Sequence, residues 1–204
     1  MSSTCELLFK VLAQVDGVEN MTCEEATCLY TGMMTDTGCF AYNSNRSDIY
    51  YIVGQMLEKG IDKDKIYRNV FYNYSPNRLK LMGYLLYVKM QHFPEYRASL
   101  MTLTREEQKR FAHKKGDTEG IVNMPLQINQ SILSVFLRED TERNVIRVSL
   151  RSVDDFPCNS MAAEFFNGGG HLNAAGGELS CPMDEAEQIV KNAMKKYSAL
   201  LKKK

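Results

Sequence analysis

Asn167–Gly177 reads NGGGHLNAAGG. Three consecutive glycines, Gly168, Gly169 and Gly170, run into His171, and two alanines and two more glycines follow. Without a Cβ, glycine lets the backbone approach a ligand closely and reach φ > 0. Successive N–H groups in such a turn form a concavity that attracts anions. His171 adds a side-chain donor beside it. The stretch reads as a seat for a phosphate or similar oxyanion. A plain glycine turn between a helix and a strand, carrying a surface histidine, is the alternative. It is not a Walker A loop, since no Gly-Lys-Ser/Thr follows, and it is not a GxGxxG turn after a strand.

Working outward, Asn159 to Asn167 reads as a short helix leading into the glycines, and Glu178 to Cys181 as a strand leaving them. Upstream, Ser131–Arg138 and Asn144–Ser152 are β-rich runs joined by the polar REDTERN segment, which predicts a hairpin. Tyr96–Thr104 alternates as a strand, and Thr104 with Glu107 opens a helix over REEQKRFAHKK. Gly116–Gly120 reads as a loop and Ile121–Ile128 as a short helix or coil. Asp184 with Glu187 caps a last helix whose apolar face is Ile189, Val190, Ala193, Met194, Tyr197, Leu200 and Leu201. The Lys202–Lys204 tail suits a helix C-terminus. Residues 97–204 therefore predict an α/β unit on a mixed sheet, with the glycine stretch at one edge.

The first ninety residues read as mostly helical. Ser2, Ser3 or Thr4 caps a helix with Leu7, Leu8, Val11 and Leu12 as apolar positions, ending at Asp16-Gly17. Thr22 with Glu25 makes a capping box for a helix that turns Ala26, Leu29, Tyr30 and Met33 inward. Asp48–Lys59 and a stretch from Asp62 or Asp64 through Phe71 follow, with a break at Ser75-Pro76. Arg78–Met90 reads as a long apolar helix. The pattern changes around Pro94, so residues 1–88 are assigned to one domain, 89–96 to a linker and 97–204 to a second domain. A chain that opens directly on a capped helix of core-type spacing looks cut from a larger domain.

Hydrophobic residues make up 44% of the 204-residue chain and charged ones 25%, with 25 basic and 25 acidic side chains. That balance excludes a duplex-coating surface, which needs a basic excess, but not a small ligand or a short single strand. No apolar run is long enough for a transmembrane helix and no signal peptide is legible, so a cytoplasmic protein without membrane attachment is expected. Six cysteines without a CxxC read as reduced, buried thiols.

Two further residues stand out. Asp36, in TGMMTDTGCF, is a carboxylate able to ligate a hard cation, with Thr35 and Thr37 as supporting hydroxyls. As a turn cap it would be equally at home. A two-metal site needs several oxygen and imidazole ligands, and with His92, His113 and His171 as its histidines the chain shows no such cluster. In VIRVSLRS, Arg147, Ser149 and Arg151 share one strand face and Val148 and Leu150 the other. Arg151 at the strand end could grip a phosphate beside His171, or be an ordinary exposed arginine.

TGMMTDTGCFAYNSN, SLRS and FFNGGGHLNAAGG, in that order, resemble the DHH phosphoesterase superfamily. The similarity extends to nanoRNases that also dephosphorylate 3′-phosphoadenosine 5′-phosphate, proteins often labelled exopolyphosphatase-related or RecJ-like. SSTCELL resembles the helix that follows the DHH motif. The resemblance covers essentially the whole chain, and its two motifs are specific together. It implies the mostly helical C-terminal part of a DHH domain followed by an α/β DHH-associated domain; a cleft between the two halves would bring the TDTG and glycine motifs together. It implies two manganese ions in the intact parent, Asp36 being a metal-ligating and catalytic residue. Gly168, Gly169, Gly170 and His171 match the substrate-phosphate loop, His171 with a catalytic part, and Arg151 and Ser152 the arginine-serine pair facing it.

The implied ligand is a nucleotide or short single-stranded oligonucleotide, and a homodimer is an open option. The family's aspartate-rich histidine motif and DHH itself are absent from this sequence, so this chain alone is expected to be inactive. The competing readings are a non-catalytic nucleotide- or nucleic-acid-binding module and a cyclic-dinucleotide phosphodiesterase of the same superfamily.

Overall fold

The computed structural model describes residues 1–202. Lys203 and Lys204 of the basic tail lie outside the described residues. The fold is of the α/β class and divides into two compact units, Met1–Asn73 and Tyr74–Lys204.

The first unit is helical. Ser3 Oγ accepts the Glu6 N–H at 3.0 Å and caps α1 (Thr4–Val15). Thr22 and Glu25 satisfy each other's backbone N–H groups at the start of α2 (Cys23–Asp36). Such a cap is worth about 1 kcal/mol. Helix α3 (Ser47–Glu58) ends at Gly60, whose φ of +83° suits glycine, and Asp62 caps α4 (Lys63–Phe71). Ala26, Leu29, Tyr30 and Met33 are buried, with Phe9, Ile49, Ile52 and Met56.

Of the four expected apolar positions on α1, Leu12 packs against the core. Leu7, Leu8 and Val11 are 44–46% exposed, whereas Phe9 is buried and Cys5, Leu12 and Ala13 pack beside it. Both faces are apolar, and on the buried one Cys5 lies against Gly32. A Cβ on Gly32 would stand 2.1 Å from the Cys5 sulfur. Glu6 also turns inward and is fully buried, paired with Lys10 at 2.7 Å and with Arg46.

The second unit begins with α5 (Pro76–Tyr84), capped by Ser75, and a π-helical turn over Leu85–Lys89. Ser75-Pro76 thus starts a helix, with proline at its first position, where the missing N–H costs nothing. Residues 74–88, read as part of the first half, group with this unit because Leu81 and Leu85 are buried against Met101, Leu103 and Phe136. The segment read as a linker holds β1 (Gln91–Phe93). Pro94 opens a single 3₁₀ turn and Arg97 takes a left-handed φ of +49°, so the chain folds back and β1 pairs with β2 (Ala98–Leu103).

Helix α6 (Arg105–Arg110) carries the Thr104/Glu107 capping box but stops early, at Ala112, whose φ is +47°. A 3₁₀ helix (Ile121–Gln127) completes the crossover to β3 (Leu133–Glu139). The expected hairpin joins β3 to β4 (Ile146–Ser152). Helix α7 (Cys158–Phe165), β5 (Gly169–His171), β6 (Ala174–Leu179), α8 (Met183–Lys196) and α9 (Ser198–Leu201) follow. Asp184 lies inside the first turn of α8, which starts after Pro182 without a side-chain cap. There its carboxylate still favours the positive end of the helix.

The sheet order is β1-β2-β3-β4-β6-β5, parallel between β2 and β3 and antiparallel elsewhere. One face carries Leu100, Val135, Leu137, Val148 and Leu150 against Met161 and Phe166 of the α7 region and Val190, Ala193 and Met194 of α8. The opposite face is covered at the β2–β3 side by α5, the π turn and the 3₁₀ helix. On that face β4 and β6 stay half-exposed and β5 exposed.

All six cysteines are free thiols, but burial holds for Cys158 while Cys23, Cys28 and Cys39 are exposed. Among the described residues, no helix is long and apolar enough to cross a membrane.

Candidate functional site

The glycine stretch is a β-hairpin. Strands β5 and β6 pair as Gly169↔Gly176, Gly170↔Ala175 and His171↔Ala174, with Leu172 and Asn173 as the connection. Its glycines divide by cause. A Cβ on Gly168 would stand 1.9 Å from the Gly176 carbonyl oxygen, and one on Gly177 would stand 2.1 Å from that of Phe166. Gly170 has a φ of +144° and would put a Cβ 2.5 Å from the Ala174 carbonyl oxygen. These three are glycine because backbone approaches backbone. Gly169 has open space where its Cβ would be, and it lies in the row that faces the uncovered side of the sheet.

The register joins Arg151 to His171. Arg151 pairs with Ala174, and Ala174 pairs with His171. Residues directly opposite in a ladder point to the same face, so the guanidinium and the imidazole stand on one face, two strands or about 10 Å apart at the backbone. Between them the floor is alanine and glycine: Ala174 in their own row, and Gly169 and Gly176 in the next. His171 is exposed and Arg151 half-buried. Arg151 Nη1 donates to the Leu150 carbonyl at 2.9 Å, and among the described residues its remaining N–H groups make no further hydrogen bond. Ser149, Arg147 and Arg138 share this face, in rows Ser149↔Gly176, Arg147↔Glu178 and Arg138↔Arg147.

Arg147 is not free for a ligand. Asp140 holds it at 2.8 Å and Glu178 closes on its other side, with Arg143 2.7 Å from Glu178. The Arg147 guanidinium, then the N–H groups of Arg143 and Glu142, keep the Asp140 carboxyl well below the usual carboxylate range.

The structure places Ser152 elsewhere. As the neighbour of Arg151 it points to the opposite face, where it is 7% exposed. Its hydroxyl donates to the Phe156 carbonyl at 2.9 Å and accepts from Asn173 Nδ2 at 2.9 Å. Asn173 also donates to the Asp154 carbonyl at 2.8 Å, so these two residues tie the β5–β6 connection to the end of β4. No motif of the sequence singles out Arg138 or Asn173. The alternation of LSVFLRE could have put Arg138 beside Ser134 and Phe136, but nothing local marks Asn173.

Asp36 lies in the first compact unit, exposed at the last position of α2. Its flanking hydroxyls do not support a ligand. Thr35 Oγ1 donates to the Thr31 carbonyl at 3.0 Å, and Thr37 Oγ1 donates to Met33 at 2.6 Å while accepting the Phe40 N–H at 3.0 Å. Among the described residues, no group of three or more His, Cys, Asp or Glu side chains could hold a metal ion. A two-manganese centre, which needs several carboxylate or imidazole donors, does not fit this donor set.

Residues 104–202 match the DHHA1 domain. Over 189 residues, 92% of this chain, the sequence is 29% identical to the bifunctional oligoribonuclease and PAP phosphatase NrnA of Thermus thermophilus, and covers 55% of that protein. The crystal structure of an exopolyphosphatase-related protein from Bacteroides fragilis superposes with a TM-score of 0.94 and 53% identity, over the whole of this chain and 59% of that one. The pGpG-specific phosphodiesterase PggH, from Vibrio cholerae, shares the fold at 13% identity and a TM-score of 0.50, over 95% of this chain and 66% of its own. The chain thus spans somewhat over half the length of the first two relatives. It carries a DHHA1 domain over residues 104–202 and is homologous, along nearly all of its length, to NrnA.

Proposed function

We propose that the open face of β4, β6 and β5 binds the phosphate of a nucleotide or a short single-stranded oligonucleotide, and that the longer protein is a DHH-type phosphoesterase. The register row that sets Arg151 and His171 on one face is the observation that carries this reading. Arg151 offers a planar, always-charged fork suited to two phosphate oxygens, and His171 a further donor from the other side. The small residues between them let the ligand lie close to the backbone. In hydrolysis such donors hold the phosphate in place and stabilise the charge that develops on it.

In the longer protein we propose two manganese ions, toward which this chain offers Asp36. The donor set favours a second reading for the chain by itself, a nucleotide-binding module without turnover.

The test is titration calorimetry with adenosine 5′-monophosphate. Arg151→Ala and His171→Ala are each expected to weaken binding by about 1–3 kcal/mol, the worth of a charge-assisted hydrogen bond. Unchanged affinity in both variants would return the two residues to ordinary strand positions.

A further inference from the structure

Beside Arg151 the same face deepens into a cavity of about 230 Å³ against the Thr118–Val122 segment, lined by Arg138, Arg147, Ser149, Arg151 and Glu119. Its charges are unevenly matched. Arg138 and Arg147 stand directly opposite each other across β3 and β4, and like charges so placed destabilise a sheet. Arg147 is neutralised by Asp140 and Glu178. Arg138, half-buried, enters no ion pair or hydrogen bond among the described residues. Ser149 adds a hydroxyl with no hydrogen bond there either. An uncompensated guanidinium bordering a cavity, next to a free hydroxyl, is an arrangement that an anion completes.

We infer that this cavity is a second phosphate seat with Arg138 as its principal contact, so that the face takes a ligand carrying two phosphates on one short strand. The inference rests on the nucleotide-binding reading above and adds its specificity. The Arg138 row lies four residues along the strands from the row of Arg151 and His171, about 13 Å of backbone. Arg138 therefore enters from the far end of the cavity, and the phosphate at His171 is beyond its reach. Glu119 is exposed, borders the same cavity and makes no ion pair among the described residues. Its carboxylate opposes an anion in this seat.

The experiment compares adenosine 5′-monophosphate with 5′-phosphorylated diadenylate by calorimetry at several salt concentrations, using the 204-residue chain and its Arg138→Ala and Glu119→Gln variants. Arg138→Ala should weaken the dinucleotide about tenfold, as expected for one charge-assisted contact. It should also reduce the slope of log K on log salt by about 0.7, while mononucleotide affinity stays within about twofold. Glu119→Gln should strengthen dinucleotide binding, a gain that a damaged fold cannot produce. Equal losses for both ligands in Arg138→Ala, or no loss for the dinucleotide, would overturn the second seat while leaving the first intact. Mononucleotide binding that ignores Arg151 and His171 while Arg138 still controls the dinucleotide would instead sink the first reading and keep the Arg138 contact. A chain that binds neither ligand would overturn both.

Discussion

Glu6 is the side chain on which the first unit's response to acid turns. Burial by itself would raise its pKa. The Lys10 ammonium, the amide and hydroxyl of Ser2 and the Arg46 guanidinium outweigh burial and hold it at about 2, against 4.5 for an ordinary glutamate. A carboxyl whose folded pKa is depressed stabilises the fold fully above its unfolded pKa, and that stabilisation is lost as pH falls through the folded one. The window here runs from about 4.5 down to about 2. Asp48 is also held at about 2, mainly by Arg46 and then Lys10, but its side chain is 48% exposed and solvent screens its share. The thermal midpoint of the first unit should therefore fall across that window, and Glu6→Gln should flatten the fall. An unchanged acid profile in that variant would show that Glu6 is not responsible. Raising the salt should reduce the Asp48 contribution and spare that of the buried Glu6.

At the scale of the element, the β5–β6 hairpin owes its form to neighbours more than to its own residues. Alanine and glycine are poor strand formers, and β6 is a strand because β4 and β5 pair with it on either side. Gly168→Ala should destabilise the second unit by more than about 2 kcal/mol, since its Cβ meets backbone that cannot yield. Gly169→Ala meets nothing and should leave the thermal midpoint in place while weakening nucleotide binding. Equal stability in the two variants would remove the distinction between them.

The Thr22/Glu25 and Thr104/Glu107 boxes and the β3–β4 hairpin were legible because each signal is local. The alternation over Arg147–Arg151 was legible too, and it puts those residues on the face observed. Strand β1, the hairpin nature of Gly168–Gly177 and the buried face of α1 were not legible. The first two are tight hairpins in which one strand, β1 or β5, has three residues, too few for alternation to show, and the third is a choice between two apolar faces. That Arg151 and His171 share a row is a property of non-consecutive strands, which no local pattern records.

For the whole molecule, the expected behaviour is binding without turnover. The purified chain, given excess manganese and a dinucleotide, should release no mononucleotide. One monodentate carboxylate such as Asp36 holds a divalent ion weakly and cannot place two ions around a shared water. Product release that Asp36→Ala abolishes would show that ligands lie where none is recognised. Because Arg151 and His171 share a row across three strands, chain length inside those strands is filtered by parity. One residue gained or lost within β4 or β6 turns the rest of the strand over, setting Leu150 on the open face in place of Arg151, or Ala175 in place of Ala174. Two residues keep the facing but slide Arg151 about 7 Å along from His171. The Asp140–Val145 connection and the exposed turn at Asp154 and Asp155 can lengthen without either displacement.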